Sequence, residues 1–167
     1  SSPRTSDAEF IRRIFIDTIG LLPTAEEVQD FVDDRTIEKR DRLIDDLLAR
    51  DAFIDYWTYK LADLLLVTQR KLTSAAVTTY YDWIHSHVAE NTAWDKMVRE
   101  ILTAKGNSLD QGEVNFFSIH RSCEHQSENA CQAFMGLSIG CAKCHNHPLE
   151  KWTNDQYYAM ANLFART

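Results

Sequence analysis

The chain has 167 residues, of which 44% are hydrophobic and 26% are charged, and its formal net charge is −7 at pH 7. This length and composition indicate one soluble globular domain with a substantial core. The negative charge, with no basic run along any predicted helix, argues against nucleic acids and acidic molecules as partners.

The first third of the chain carries a clear helical pattern. Asp7 is predicted to cap a first helix that ends at Gly20. Thr24, with Glu27 three residues later, has the spacing of a capping box and opens a second helix. A third amphipathic helix is expected over residues 37–49.

Helical periodicity continues to the middle of the chain. The helix expected over about 53–67 has enough large apolar residues to be central and well buried, and Ser74 is predicted to cap the next one. The segment 105–112 is rich in Gly and Asn and poor in apolar residues, which is typical of a loop. We place a boundary there, between a helical scaffold over 1–105 and a second part over 106–167 of the same single domain.

The second part is also predicted to be helical. Ser122 can cap a helix that runs to Met135 and stops at Gly136, and a last helix is expected to begin at Thr153 or Asn154. No window alternates between apolar and polar residues as a long strand does. The predicted fold class is therefore all-α.

Five consecutive residues, Cys141-Ala142-Lys143-Cys144-His145, form a C-x-x-C-H motif. Two thiols at this spacing can attach a haem through its vinyl groups while the adjacent imidazole binds the iron. Roughly 0.003 such matches are expected by chance at this content of Cys and His. We predict one covalently attached haem c, held by Cys141, Cys144 and His145, so that the fold is a multi-helix scaffold with a haem-binding C-terminal segment.

Other uses of the motif remain open. The two thiols, with His145 or His147, could form a zinc site, or they could be a redox-active pair. A thioredoxin-like pair belongs to a βαβ unit, and nothing in this sequence resembles one.

With a haem attached, His145 would be the proximal iron ligand, and the group on the opposite face would decide the chemistry. His120 is our preferred distal ligand, followed by the thiol of Cys131. The other candidates are His125, Met135 and Met160.

Several further residues are expected near the haem. His147 is predicted to hydrogen-bond a haem propionate or nearby backbone, and Trp152, Tyr157 and Tyr158 are predicted to wall the pocket. Cys123 and Cys131 could form a disulfide only if the helix begins after Cys123, because eight residues of helix separate two Cα atoms by about 12 Å.

The motif also implies a location. Haem c is attached outside the cytoplasm, so the chain is expected to be part of a larger exported protein whose export signal lies on other sequence. No apolar stretch reaches the about 18 residues that a membrane span requires. The expected partner is a redox protein or a neighbouring cytochrome domain.

The sequence resembles a known family, the planctomycete cytochrome-associated domain of unknown function, which is the second of the planctomycete cytochrome C domains. The resemblance covers nearly the whole chain. It rests on Arg12 to Thr24 (RRIFIDTIGLLPT), Asn115-Phe116-Phe117, Phe134-Met135-Gly136, Gly140 to Pro148 (GCAKCHNHP), Trp152, Tyr157, Tyr158 and Phe164.

The resemblance implies a domain inside a large exported protein, beside another cytochrome-type domain. It implies electron transfer or a redox step in extracellular carbon breakdown, and it carries over Cys141, Cys144, His145 and His147. Cys123, where the family often has proline, and Cys131, where a small residue is usual, depart from its pattern. The alternatives to an electron-transfer domain are a haem enzyme or sensor with an open distal site and a zinc-stapled structural module.

Overall fold

The computed structural model describes residues 5–120 and 122–165. Within these ranges the chain forms nine α-helices, two short 3-10 helices and no β-strand, so the prediction of an all-α fold is confirmed. The α-helices, α1 to α9, are Asp7–Ile19, Ala25–Asp33, Lys39–Leu48, Asp51–Leu64, Ser74–Ala89, Trp94–Thr103, Asn115–Ile119, Cys123–Met135 and Asn154–Asn162. The 3-10 helices are Gly112–Val114 and Gly140–Lys143. Over the described ranges, no helix is both long and apolar enough to cross a bilayer.

Five of the nine described α-helices begin at a side-chain cap, formed by Ser6, Thr24, Thr73, Ser122 and Thr153. Thr24 and Glu27 form the predicted capping box at α2. At α1 and α5 the cap lies one residue earlier than predicted, at Ser6 and Thr73. Ser6 forms a capping box with Glu9, because its hydroxyl accepts the Glu9 N–H and the Glu9 carboxylate accepts the Ser6 N–H.

Two helices end at a glycine in the left-handed conformation, as predicted. Gly20 ends α1 with φ of 69°, and Gly136 ends α8 with φ of 65°. A Cβ atom at Gly20 would lie 2.4 Å from the ring of Tyr56, whereas at Gly136 it would meet no heavy atom within 4 Å. Gly20 is therefore required by its backbone conformation and by close packing, and Gly136 by its backbone conformation alone.

The chain divides into two compact units, Ser1–Lys60 and Leu61–Thr167. The first contains one hydrophobic core, built from α1, α2 and α3, and an ionic contact in which Asp7 pairs with Lys39 and Arg40 at 2.6 Å each. The buried residues of this core are Ile11, Phe15, Ile19, Phe31 and Leu47. The boundary predicted near residue 105, between a helical scaffold and a haem-binding part, remains a prediction.

The second unit contains two hydrophobic clusters. The larger cluster joins α5, α6, α7 and α8, with Tyr80, Ile84, Ile101 and Phe116 fully buried. The smaller cluster contains Cys131, Ile139, Ala142 and Tyr157 and lies directly beneath the C-x-x-C-H motif. Met160 packs against both clusters.

Helix α4 is less buried than its composition suggests. Thr58 and Ala62 of α4 are buried, as is Leu65 just after its end, whereas Trp57 and Leu64 remain 38% and 39% exposed. The prediction of a central, well-buried helix is therefore wrong for α4. The periodicity fits two adjacent faces of the helix, and tertiary packing buries the face that contains Thr58 and Ala62.

The segment 105–112 has no α-helix, as predicted for a loop, and only its last residue belongs to the 3-10 helix Gly112–Val114. The buried amide of Asn115 donates to the carbonyls of Ser108 (2.8 Å) and Gly112 (3.1 Å). A Cβ atom at Gly112 would come within 2.4 Å of the Trp83 side chain. The loop is thus fixed to the second unit by one buried amide and by one glycine that permits close approach.

Candidate functional site

After the end of α8, a short 3-10 helix, Gly140–Lys143, carries the first three residues of the C-x-x-C-H motif, and Cys144 and His145 complete the motif. Within it Ala142 is fully buried, whereas Cys141 and Cys144 are exposed. The buried Ile139 anchors the start of this turn, and its carbonyl accepts the Ala142 N–H at 2.9 Å. The turn therefore buries its apolar middle residue and presents both thiols to the surface.

The carbonyls of the motif are held by an asparagine from the last helix. The Asn154 amide donates to the carbonyl oxygens of Ala142 (2.9 Å) and Lys143 (2.8 Å). The Asn154 N–H donates to Oδ1 of Asn146 at 3.0 Å, and the Tyr158 hydroxyl donates to the Lys143 carbonyl at 3.3 Å. The N-terminal end of α9 thus fixes the backbone that carries the two cysteines.

The His145 ring is exposed and oriented by one hydrogen bond. Its Nδ1 lies 2.7 Å from the carbonyl oxygen of Asn146. A carbonyl oxygen can only accept, so Nδ1 carries the proton and the lone pair remains on Nε2. This arrangement leaves Nε2 available as a metal ligand.

His147 stabilises the turn after the motif. Its ring Nδ1 accepts hydrogen bonds from the backbone N–H groups of Leu149 (3.2 Å) and Glu150 (2.9 Å). The backbone N–H of His147 donates to the Trp152 carbonyl at 2.8 Å. Nδ1 is therefore unprotonated and engaged with backbone. The predicted backbone contact is present, and Nε2–H is the remaining donor for a propionate.

Beneath the motif lies the small cluster that contains Tyr157 and Cys131, both fully buried. The Tyr157 hydroxyl donates to the Glu128 carboxylate at 2.6 Å, and burial together with this neighbouring carboxylate raises the pKa of Tyr157. Trp152 packs against the edge of the cluster. Tyr157 and Trp152, predicted to wall a haem pocket, pack in or against the cluster that contains Ala142 of the motif.

The buried cysteine is held as a neutral thiol. Burial raises the pKa of Cys131. Cys123 and Cys131 both lie on α8, so helix geometry separates their Cα atoms by about 12 Å, beyond the reach of a disulfide. Both thiols are free.

His120, the preferred distal ligand, lies at the end of α7 and lines a cavity with Arg70, Lys71, Ser118, Ile119 and His125. No residue of the C-x-x-C-H motif lines this cavity. Burial, the nearby charge of Lys71 and the neighbouring His125 lower the pKa of His120, while Glu128 acts in the opposite direction. Of the other distal candidates, His125 is exposed, Met135 is half exposed and Met160 is partly buried.

A cavity of about 460 Å³ lies between the start of α8 and helix α9. Tyr158, whose hydroxyl reaches the Lys143 carbonyl, forms one side of it, and Cys123 and Glu124 lie on another. Hydrogen bonds from the backbone N–H of Glu124 and from Ser122, with the charge of Lys143, lower the pKa of Glu124. The rest of the lining is mostly small and apolar: Ala159, Ala161, Asn162 and Ala165.

Sequence reasoning missed the roles of Asn146 and Asn154. Thr153 already caps α9 in a capping box with Gln156, so the amide of Asn154 is not needed as a cap. Two polar residues stand at the start of α9 where one cap is enough, and this was the signal in the sequence that the Asn154 amide could make a contact elsewhere. The two carbonyls it reaches, 11 and 12 residues earlier, are set by the fold.

The donor set fits a covalently attached haem: two free exposed thiols and one imidazole with an available Nε2 on a single turn. Across residues 5–120 and 122–165, no group of three or more His, Cys, Asp or Glu side chains converges to hold a metal ion. A zinc site built from Cys141, Cys144 and either His145 or His147 would therefore need these side chains to rearrange.

Comparison with protein families gave a match to PSCyt2, described as "Protein of unknown function (DUF1549)", over residues 1–167. Neither the comparison with curated proteins nor the comparison with solved structures gave a match. The family match spans the whole chain, including the segments of the first unit and the C-terminal motif on which the resemblance rested. This all-α chain therefore belongs to the PSCyt2 family of proteins of unknown function.

Proposed function

We propose that the chain is a monohaem c-type cytochrome domain that transfers electrons within a larger exported protein. One observation carries this proposal: Cys141 and Cys144 are free, exposed thiols on one turn, and His145 follows with Nδ1 engaged and Nε2 available. Thioether attachment needs accessible thiols, and iron ligation needs an imidazole lone pair. The three residues meet both requirements.

In this proposal Cys141 and Cys144 would hold the haem and His145 would bind its iron. A bound haem supplies a one-electron couple between ferrous and ferric iron. The hydrogen bond from His145 Nδ1 to Asn146 holds the ring in one orientation and makes Nε2 a better electron donor. Asn154 holds the two carbonyls between the cysteines, which keeps the thiols at a constant spacing.

The buried residues beneath the motif would tune the reduction potential of the haem. Ala142, Cys131 and Tyr157 are fully buried and exclude water from beneath the turn. A low-dielectric side of a redox centre disfavours the form with more net charge. The exposed thiols and imidazole leave the other side open to a redox partner protein or to a neighbouring cytochrome domain.

An extracytoplasmic location follows from the same proposal, because haem c is attached outside the cytoplasm. The test is therefore expression with an export signal in a strain that matures c-type cytochromes. The expected product is coloured, its Soret band survives acid-acetone extraction, and its intact mass rises by one haem. The double substitution Cys141→Ser and Cys144→Ser should abolish all three properties.

Cys123→Ser is the matched control, because it makes the same atomic change at a thiol outside the motif. The control variant should keep its haem. A colourless, correctly exported wild-type protein would refute the proposal, and stoichiometric zinc lost on Cys141→Ser would assign the zinc-stapled alternative. Rapid binding of carbon monoxide by the coloured protein would assign the open-site haem enzyme or sensor instead.

A further inference from the structure

The cavity that contains His120 has no role in the proposed cytochrome function. Its volume is about 370 Å³, well above the roughly 30 Å³ that one water occupies in the liquid. Two of its six lining residues are cationic and three more carry donor groups. The lining residues are Arg70, Lys71, Ser118, Ile119, His120 and His125. No carboxylate of the residues that the structure describes lines this cavity, although the chain as a whole has a net charge of −7.

The two cations of the cavity are not neutralised within the described part of the chain. Arg70 and Lys71 lie in the turn between α4 and α5, and neither forms an ion pair with a described residue. The charge of Lys71 reaches His120, since it contributes to the lowered pKa of that ring. Glu128 is the one described carboxylate that acts on His120, and it is engaged by the Tyr157 hydroxyl at 2.6 Å.

His120 brings an unused polar atom to the cavity. Its Nε2 is buried and has no hydrogen-bond partner among the described residues. The His125 ring lies 6.0 Å away, centroid to centroid. Buried polar atoms in proteins are usually paired with protein, water or ligand, so an unpaired imidazole nitrogen beside a cationic cavity indicates a missing partner.

The backbone groups next to the cavity already have hydrogen-bond partners. The N–H of His125, in the first turn of α8, donates to Oγ of Ser122 at 3.3 Å. The carbonyls at the opposing end of α7 are already occupied, because Nε2 of Gln126 donates to the carbonyls of Phe117 (3.2 Å) and His120 (3.1 Å). The hydrogen-bond donors of the cavity are thus those of its lining side chains, chiefly Arg70 and Lys71.

We propose that this cavity binds an oxyanion of the phosphate or sulfate class, either as the free ion or as the terminal group of a monoester. Lys71 supplies a point charge, and the planar guanidinium of Arg70 can bind two oxygens at once. The Ser118 hydroxyl and the imidazole of His120 supply further donors. This site is independent of the haem proposal, because it shares no residue with the C-x-x-C-H motif.

The test is isothermal titration of the matured protein with inorganic phosphate at constant ionic strength, in a chloride buffer. Saturable binding is expected for the wild type. Lys71→Gln should weaken it roughly tenfold, because one charge-assisted hydrogen bond is lost. Lys96→Gln, at an exposed lysine of α6 outside the cavity, removes the same charge and should leave the affinity unchanged.

A second titration with glycerol phosphate separates the two sources of the anion. Binding of inorganic phosphate alone assigns the free ion, and binding of both assigns a monoester group. If Lys71→Gln and Lys96→Gln weakened phosphate binding equally, the binding would depend on the overall charge of the protein, and the proposed site would be overturned. No saturable binding by the folded wild type would overturn it too, and neither result would affect the Soret band on which the haem proposal depends.

Discussion

Replacing Asn154 tests whether the asparagine holds the C-x-x-C-H turn. Asn154→Ala removes the amide that donates to the carbonyls of Ala142 (2.9 Å) and Lys143 (2.8 Å). It keeps the backbone N–H that donates to Asn146. The substitution therefore deletes two partly buried hydrogen bonds and leaves the backbone contact in place.

The expected cost is about 2 kcal/mol of unfolding free energy, because each partly buried hydrogen bond contributes about 1 kcal/mol. For a chain of this size that corresponds to a fall of about 4–8 °C in melting temperature. Urea denaturation, followed by circular dichroism in protein without haem, measures the change. Asn162→Ala, at an exposed position at the other end of α9, makes the same side-chain change without these contacts.

Asn154→Asp sharpens the test. It keeps the shape of the side chain but sets a carboxylate against two carbonyl oxygens. That repulsion raises the pKa of the introduced carboxyl above its unfolded value, so the variant is least stable at neutral pH and recovers as the pH falls towards about 4. If Asn154→Ala and Asn162→Ala differed by only a few tenths of a kcal/mol, the amide would not hold the turn.

Three further outcomes are expected. Gly20→Ala should destabilise the protein more than Gly136→Ala, because only a Cβ atom at Gly20 would lie 2.4 Å from the Tyr56 ring. Gly136→Ala should cost about 1 kcal/mol for its left-handed backbone alone, and equal melting temperatures of the two variants would contradict this packing. Hydrogen bonds from the Lys39 and Arg40 side chains lower the pKa of Asp7, so Asp7→Asn should reduce stability at neutral pH, and the difference should vanish as the pH falls below about 4 in urea titrations at several pH values. His120→Ala should leave the ferric spectrum unchanged, because His120 lines a cavity that no motif residue shares, whereas conversion from low to high spin would establish the predicted distal ligation.

Local chemistry made the helices and the motif readable from the sequence. A capping box or a terminal glycine acts within four residues, so α2, the end of α1 and the whole of α8 could be predicted from their own residues. The two caps that were misplaced, at Ser6 and Thr73, were wrong by one residue, because a second polar residue stood next to each. The C-x-x-C-H motif is equally local.

Tertiary packing decided what periodicity could not. The pattern of α4 fits two adjacent faces, and only the neighbours that cover Thr58 and Ala62 select between them. Asn154 could be predicted at a helix start, but not its bonds to carbonyls 11 and 12 residues earlier.

The cavity around His120 shows the same limit. Lys71 and His120 are 49 positions apart in the sequence, on a turn and at a helix end, and only the fold brings them to one cavity. The sequence by itself determined the helices and the pair of thiols with the adjacent imidazole, because those depend on neighbours along the chain. The tertiary structure alone decided which side chains support the motif and which residues share a cavity with His120, because those depend on contacts between distant segments.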